Sequence, residues 1–272
     1  MSSVDDAIDR WKPKGADQSP MRTLVLDIET CPTDAVIWQL KQHGYIGTHQ
    51  IIEPGYMMSW AAKWLGNDRV MFASTYHDGV DIMLDRLHQL LTDADAVITY
   101  NGVQFDMPVI EWEFMRHEYL PPAPWTDIDL IKSVRKSRKL SNKLDYVCRE
   151  LGVTDGKVDS GGMETWLGCK NGDPKAWALM KRYNREDVKI TEAVYWRILP
   201  WLRCHPTVSM YSNEDDQGIP LCGFCGSAAL ADAGWDTKKT ARYARYQCRA
   251  CGGWNRDRLS DRSHHPQVRP LR

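Results

Sequence analysis

Two acidic residues occupy neighbouring positions on one predicted strand. Residues 22 to 29 read RTLVLDIE, in which apolar residues alternate, so Asp27 and Glu29 point to the same face of the strand. Strands are depleted in aspartate, and an ionised carboxylate is costly to bury unless it is paired or bound to a metal. The pair therefore indicates a divalent-cation site, and an edge strand with a solvated face is the alternative.

Two further segments carry acids at positions where they could join this pair. Asp106 follows a predicted strand at residues 96 to 100, AVITY, and opens a helix in which Pro108 suits the first turn. A helix N-terminus favours an ionised carboxylate, although Asp106 could simply cap the helix. Tyr183 and Asp187 are four residues apart in a long predicted helix, so their side chains share a face. The alternative is that they are an ordinary pair on the protein surface.

Read in chain order, the segments DIET, NGVQFD and YNRED resemble the three motifs of the DEDD-type, DnaQ-like 3′–5′ exonucleases. The pattern D-x-E, N-x3-F-D and Y-x3-D is that of the proofreading domain of family B DNA polymerases. The resemblance covers roughly residues 20 to 200 and implies a ribonuclease H-like fold, a mixed five-stranded sheet flanked by helices. The tyrosine implies the DEDDy branch, because the other branch carries histidine where this chain has Arg182.

The resemblance also implies the roles of these residues. The catalytic residues would be Asp27, Glu29, Asp106, Tyr183 and Asp187, with the four acids as ligands of two Mg²⁺ or Mn²⁺ ions. Such ions supply a nucleophilic hydroxide and relieve charge on the phosphate during phosphodiester hydrolysis. Tyr183 is expected to orient the nucleophile and not to act as a base, because a phenol with a pKa near 10 is protonated at neutral pH.

Contacts to nucleic acid are expected around this site. The resemblance implies that Asn101 and Phe105 face the terminal nucleotides and that the backbone of Thr30 contacts the 3′ end. The alternatives are a core position for Phe105 and a capping role for Thr30. A basic stretch without acidic residues is expected to make further contacts with phosphates. Its basic residues are Arg135, Lys136, Arg138, Lys139 and Lys143. The alternative is that this stretch is simply a solvated face.

Four cysteines near the C-terminus have the spacing of a zinc site. Cys222 and Cys225 form one C-x2-C pair, and Cys248 and Cys251 form a second pair. The two pairs are separated by 22 residues. Four thiolates suit a tetrahedral Zn²⁺ ion, and the arrangement resembles a zinc ribbon that needs its metal to fold. The alternative of two redox centres lacks a thioredoxin-like context. The remaining four cysteines, Cys31, Cys148, Cys169 and Cys204, are expected to be free thiols.

The cysteine segment is also basic. Arginine side chains interleave with aromatic residues there, which is typical of a nucleic-acid surface, and the expected contacts are Arg242, Arg245 and Arg249. A surface that docks a protein partner is the alternative.

The charge of the chain is unevenly distributed. Taken alone, the formal net charge of −1 argues against a basic nucleic-acid binder. However, residues 1 to 221 hold 25 basic and 32 acidic side chains, whereas residues 222 to 272 hold 10 and 4. The two parts therefore carry −7 and +6, and the total charge does not exclude a nucleic-acid partner.

No apolar run approaches the roughly 20 residues that span a bilayer. The start of the chain also lacks the apolar stretch of a secretory signal, so we expect a cytoplasmic protein without membrane contact.

The order of predicted elements indicates an α/β domain. Strands are predicted at residues 22–29, 57–64, 69–73 and 96–100, and helices at about 78–91, 107–118, 142–151 and 174–199. The predicted division is an N-terminal extension at 1–20, the exonuclease domain at 21–204, a linker at 205–220, the zinc ribbon at 221–256 and a basic tail at 257–272.

The expected function is that of a metal-dependent 3′–5′ exonuclease. It would remove nucleotides from the 3′ end of single-stranded DNA, in repair, in recombination or in proofreading in trans for a separately encoded DNA polymerase or another replication or repair protein. An exoribonuclease or structure-selective nuclease on the same fold is the first alternative. A non-catalytic adaptor that binds nucleic acid through the ribbon is the second, and the complete set of acids with the tyrosine argues against it.

Overall fold

The structure is a computed structural model that describes residues 3–14, 16, 19–38, 44–154, 159–211 and 220–262. Its helices are α1 (Val4–Trp11), α2 (Val80–Thr92), α3 (Asp106–Arg116), α4 (Leu130–Val134), α5 (Leu144–Glu150), α6 (Met163–Lys170) and α7 (Pro174–Ile198). Its strands are β1 (Thr23–Thr30), β2 (Asp34–Ala35), β3 (Ile51–Glu53), β4 (Met57–Trp64), β5 (Met71–Ser74), β6 (Ala96–Thr99), β7 (Thr126–Asp129), β8 (Leu230–Thr237), β9 (Arg242–Cys248) and β10 (Trp254–Arg256).

Strand β1 lies at the centre of a five-stranded sheet of order β5-β4-β1-β6-β7. It runs parallel to β6, which is parallel to β7, and antiparallel to β4, which is antiparallel to β5. Helices pack on both faces, so the predicted mixed five-stranded sheet flanked by helices is confirmed.

Alternation along β1 determines which side chains meet which helices. Leu24, Leu26 and Ile28 pack with residues of α2 and α3. Val25 belongs to the opposite core, with residues of α7. Because side chains alternate along a strand, Asp27 and Glu29 share the face of Val25 and lie toward α7.

Helix α7 begins where the sequence predicts. The side chain of Asp173 accepts a hydrogen bond from the backbone N–H of Lys175, and Pro174 occupies the first turn, where it costs no hydrogen bond. The helix packs against the sheet, so that many of its residues are buried, including Asn184, Asp187 and Glu192.

Several short elements were not predicted. Helices α1, α4 and α6 and strand β7 have eight residues or fewer, which is too short for a periodic pattern to be distinctive. Helix α1 lies within the predicted N-terminal extension, yet its Val4, Ala7 and Ile8 belong to the core that contains α7. Helix α2 begins after Gly79, which has a φ of 82°, and not at the predicted Asp78.

The cysteine segment forms a second sheet of order β10-β9-β8, which confirms the predicted ribbon module. This sheet packs on the C-terminal end of α7, because Cys222, Cys225 and Cys248 belong to the same buried cluster as Leu199 and Val208. The backbone N–H of Val208 donates to Gly223 O at 2.9 Å. Residues 205 to 211 of the predicted linker are thus packed against the ribbon; residues 212 to 219, and 263 to 272 of the predicted tail, lie outside the described residues.

Within the described part of the chain, we find no helix with the length and apolar character needed to cross a membrane.

Candidate active site and cysteine cluster

Three of the four predicted acids meet between β1 and α7. Asp27, Glu29 and Asp187 each place a carboxylate oxygen so that these atoms all lie within 4.8 Å of one another. Asp187 is buried, whereas Asp27 and Glu29 are partly exposed. The cluster is thus a group of oxygen donors that is open to solvent on one side and could hold a divalent cation.

Asn184, which was not predicted as a site residue, holds Asp27 in this cluster. Its side-chain N–H donates to Asp27 Oδ2 at 2.7 Å, and its own Oδ1 accepts from the hydroxyl of Ser59 at 3.4 Å. Asn184 is completely buried. The available signal was its position three residues before Asp187, which puts both side chains on one face of the helix.

Tyr183 lies beside the acids as a hydrogen-bond donor. Its phenol hydroxyl donates to the carboxylate of Asp187. Burial, and then the negative charges of Asp187, Glu29 and Asp27, raise the pKa of Tyr183 far above its ordinary value. The phenol therefore stays protonated at neutral pH and cannot act as a base there.

Asp106 lies next to β1 but outside the group of three. It is the first residue of α3 and is buried, and its Oδ1 accepts a hydrogen bond from the backbone N–H of Ile28 at 3.2 Å. Burial raises the pKa of Asp106 to about 6, and the charge of Asp129 adds to this rise. The favourable field of the helix N-terminus therefore does not cancel the effect of burial on the pKa of Asp106. The carboxylate is still mostly ionised at pH 7.

Asp129 fixes the turn that leads to Asp106. Asn101 has a φ of 72°, in the left-handed region, and its backbone N–H donates to Asp129 Oδ1 at 2.7 Å. The same oxygen accepts from Ile131 N at 3.2 Å and caps α4. Asp129 was not predicted to have a role, because TDID is an ordinary polar segment.

Of the predicted substrate contacts, Phe105 is 47% exposed, so it is not a core residue. Thr30 and Asn101 are half-buried. Arg135 donates to Asn101 Oδ1 at 3.2 Å, which joins the basic stretch to the turn after β6.

The basic stretch follows α4 as an exposed loop. Arg135, Lys136, Arg138 and Lys143 are exposed. Lys139 is half-buried, because its ammonium group donates to backbone carbonyls of the same loop.

The four cysteines of the ribbon form a compact sulfur cluster. The Sγ atoms of Cys222 and Cys251 are 3.6 Å apart, those of Cys225 and Cys248 are 3.7 Å apart, and all four lie within 4.8 Å of one another. Tetrahedral ligands with Zn–S bonds of about 2.3 Å are separated by about 3.8 Å, so the cluster fits a zinc ion.

Backbone geometry supports this cluster. Gly226 and Gly252 follow the second cysteine of each pair with φ values of 74° and 77°, a conformation that glycine adopts without strain. Asn255 Nδ2 donates to Cys222 Sγ at 3.4 Å. The other four cysteines are free thiols, with Cys204 exposed and the rest buried.

Arginine and aromatic side chains stack on the ribbon. Arg242 lies 4.2 Å from the ring centre of Trp235 and pairs with Asp261, while Arg245 lies 5.1 Å from that of Trp254. Arg249 is exposed.

Comparisons with known proteins place the fold. A family model described as the RNase_H superfamily matches residues 57–199, more than half of the chain, and this span includes Asp106, Tyr183 and Asp187. No curated protein matches the sequence.

Two solved structures that match the chain are distant from it in sequence. The family B DNA polymerase of the hyperthermophilic archaeon Pyrobaculum calidifontis matches with a TM-score of 0.50 and 18% identity, over 66% of this chain and 25% of the polymerase chain. The chain thus spans about a quarter of that polymerase. RNase D of Trypanosoma brucei matches with a TM-score of 0.46 and 15% identity, over 77% of this chain and 67% of that one. From the family match and the observed sheet, the chain belongs to the RNase_H superfamily.

Proposed function

We propose that this protein is a metal-dependent 3′–5′ exonuclease that shortens nucleic acid from its 3′ end, with single-stranded DNA as the preferred substrate. The observation that carries the proposal is the meeting of Asp27, Glu29 and Asp187 beside Tyr183 on a ribonuclease H-like sheet. These residues come from the D-x-E and Y-x3-D motifs of the DEDDy pattern, so sequence motif and geometry point to the same chemistry.

The acidic cluster fits hard divalent cations. Carboxylate oxygens are the ligands that Mg²⁺ and Mn²⁺ prefer, and Asp27, Glu29 and Asp187 would hold one such ion, with Asp27 shared by a second. Asp106 would complete the set from its position at the start of α3. When bound, the two ions would activate a water molecule and neutralise charge on the scissile phosphate.

The chain's own residues would position the reacting groups. Asn184 fixes the orientation of Asp27 through its 2.7 Å hydrogen bond to Asp27 Oδ2. Tyr183 has a protonated hydroxyl at the same place, and we assign it to orienting the attacking water. Thr30, Asn101 and Phe105 would contact the terminal nucleotides.

The ribbon would hold one structural Zn²⁺ ion through its four cysteines. Its positive charge suits contact with phosphates and offsets the acidic character of the nuclease domain. Arg249, which is exposed, and the stacked Arg242 and Arg245 would make these contacts, together with the basic loop after α4.

The preference for DNA rests on the N-x3-F-D motif, which resembles that of DNA polymerase proofreading domains. A role in repair, recombination or proofreading for a separate polymerase follows from that resemblance. Exonucleases that act on RNA share the fold, so the fold does not distinguish DNA from RNA as the substrate. An experiment must make this distinction.

The test is a comparison of 5′-labelled strands incubated with the purified protein and Mg²⁺ or Mn²⁺. We expect stepwise shortening of single-stranded DNA, slower shortening of RNA of the same sequence, and none of a DNA strand with a blocked 3′ end. Faster cleavage of RNA would reverse the substrate preference. Cleavage of the blocked strand would refute the 3′–5′ polarity, and inactivity on every strand would refute the enzyme.

A further inference from the structure

A pocket lies away from the acidic cluster, between the loop after α4, helix α5 and the C-terminal end of α7. Its volume is about 540 Å³, within the range of about 300 to 1,000 Å³ that is typical of ligand pockets. Apolar side chains such as Leu151 line it together with the aromatic rings of Tyr146 and Trp201. Trp201 is 74% exposed, although exposing so large an apolar ring to water is unfavourable. The pocket thus offers flat aromatic surface to a ligand.

The charged groups around this pocket are mainly cationic. Lys136 and Arg203 line it and are exposed, and neither makes an ion pair with any side chain that the structure describes. Arg197 also lines the pocket but is stacked 4.1 Å from the ring centre of Trp11. Glu150 is the only acidic side chain among the described lining residues. An anionic ligand with a flat apolar part matches this environment best.

The pocket is formed by chain segments that connect the candidate active site with the ribbon. Arg135, the neighbour of Lys136, donates to Asn101 in the turn before Asp106. On the other side, Arg203 is two residues from His205, whose ring lies 5.7 Å from that of Phe224 between the first two zinc-site cysteines.

We propose that this pocket binds a nucleotide of a single-stranded nucleic acid at a distance from the cleaved end. A base would stack on Trp201 and Tyr146, and phosphates would contact Lys136 and Arg203. Base–aromatic stacking tolerates any sequence, which suits an enzyme that degrades a strand progressively. The class of ligand rests on the proposed function, whereas the pocket and its charges do not. A peptide segment fits less well, because an apolar peptide would leave the two cations without partners.

The experiment measures binding and not cleavage. The full chain carrying Asp27→Asn, which is expected to leave the strand intact, is titrated with 5′-labelled DNA strands of about four and about twenty nucleotides, a length difference chosen so that only the longer one reaches a distant site. Trp201→Ala should lower the ratio of long-strand to short-strand affinity about tenfold. Trp201→Phe should recover most of that ratio, because it restores an aromatic face. Lys136→Gln should reduce the slope of log affinity against log salt by about 1.

Trp112→Ala is the matched control, since Trp112 is 60% exposed on α3, outside the pocket, and should keep the ratio. Thermal unfolding of each variant excludes a folding defect. An unchanged ratio in Trp201→Ala together with an unchanged salt slope in Lys136→Gln would overturn the proposal. An equal loss of ratio in Trp112→Ala would also overturn it. If the wild type fails to cleave any strand but the ratio still falls in Trp201→Ala, the exonuclease fails while the pocket stands.

Discussion

Asn184 shows how a neutral side chain can organise an acidic site. It is fully buried, and it contacts Asp27 on β1 and Ser59 on β4 from its position on α7. The amide can donate to a carboxylate without adding a charge that would compete with a cation. Its effect on the candidate site is therefore one of orientation.

We predict that Asn184→Ala lowers kcat/KM for strand shortening about 10- to 100-fold, as loss of a residue that orients a metal ligand does. The free energy of unfolding should fall by only about 1 to 3 kcal/mol, the cost of an unsatisfied buried group. Initial rates over a Mg²⁺ titration, with chemical unfolding in parallel, check both numbers. Asn171→Ala, an exposed change at the end of α6, is the control, and wild-type rates in Asn184→Ala would contradict the role.

The raised pKa of Asp106 makes stability depend on pH. Its pKa is about 6 in the folded chain against an ordinary value of 3.8, so the carboxyl group resists ionisation only in the folded chain. Well below pH 4 this carboxyl is protonated in both the folded and the unfolded chain, so its raised pKa does not lower the free energy of unfolding. Between pH 4 and pH 6 the carboxyl ionises in the unfolded chain but not in the folded one, and the free energy of unfolding falls by about 3 kcal/mol in total, since one pKa unit equals about 1.4 kcal/mol.

We therefore predict that Asp106→Asn stabilises the protein at pH 7 by about 1 to 3 kcal/mol in the absence of added Mg²⁺ or Mn²⁺. The variant should also lose part of the decline in stability between pH 4 and pH 6. Urea unfolding at several pH values measures this. Equal pH profiles for the wild type and Asp106→Asn would show that burial does not perturb this carboxyl.

At the scale of elements, β1 and α7 determine the site, and one buried ion pair fixes α7 on the sheet. Lys63 of β4 pairs with Glu192 of α7, and both residues are almost completely buried. Glu192 also accepts from Gly66 N at 3.1 Å and from Trp196 Nε1 at 3.2 Å. Glu192 follows Asp187 by five residues, so this contact restrains the same part of the helix.

We predict that Glu192→Ala destabilises the protein by about 3 to 5 kcal/mol, because it leaves the Lys63 ammonium buried without its partner. The double variant Lys63→Met with Glu192→Leu should recover most of this loss, since it removes both charges. Unfolding curves for the three variants, with Glu186→Ala as a partly exposed control on the same helix, measure the effect. A loss below about 1 kcal/mol in Glu192→Ala would mean that the pair does not hold the helix.

The sequence predicted the long elements well and the short ones poorly. The alternation of Leu24, Leu26 and Ile28 predicted β1, and the helical pattern at 174–199 predicted α7 within one residue of its end. Strand β7 was missed because TDID has no apolar alternation. Helix α1 was missed because it has only eight residues, and its burial depends on a tertiary contact with α7 that sequence periodicity does not encode.

The candidate site, too, was only partly predicted from the sequence. Motif spacing predicted the acids and Tyr183, because two-residue and four-residue intervals fix a common face. Asn184 and Asp129 were not predicted, since their roles depend on hydrogen bonds between elements far apart in the sequence. Asp106 was predicted by motif, but its burial and raised pKa could be known only from the packing around α3.

At the scale of the whole molecule, the opposite charges of the two parts of the chain are joined by a packed contact. The ring of His205 lies between Tyr195 of α7, whose hydroxyl is 2.8 Å from His205 Nε2, and Phe224 of the ribbon. Burial lowers the pKa of His205, so the imidazole is neutral at pH 7 and can share this apolar contact. The ribbon is therefore part of the molecule's core.

We predict that a chelator, by removing the zinc ion that we propose for the ribbon, lowers the thermal midpoint of the whole protein, because three of the cysteines share a core with the end of α7. Affinity for a long strand should fall, and the slope of log affinity against log salt should become less steep as basic contacts are lost. Calorimetry and binding before and after chelation test this, with Cys204→Ser as a control at a cysteine outside the cluster. Equal midpoints with and without zinc would contradict the contribution of the metal.

If the acids between β1 and α7 catalyse strand shortening, their removal must slow the chemical step, which the single-turnover rate on a 5′-labelled DNA strand in Mg²⁺ measures. Asp27→Asn removes one charge from the cluster, and Asp68→Asn makes the same change at an exposed position outside it. We expect Asp27→Asn to lower the rate at least about 1,000-fold, a loss of about 4 kcal/mol of transition-state stabilisation, while Asp68→Asn retains the wild-type rate. Cleavage by Asp27→Asn at the rate of Asp68→Asn would show that the acidic cluster is not the catalytic site.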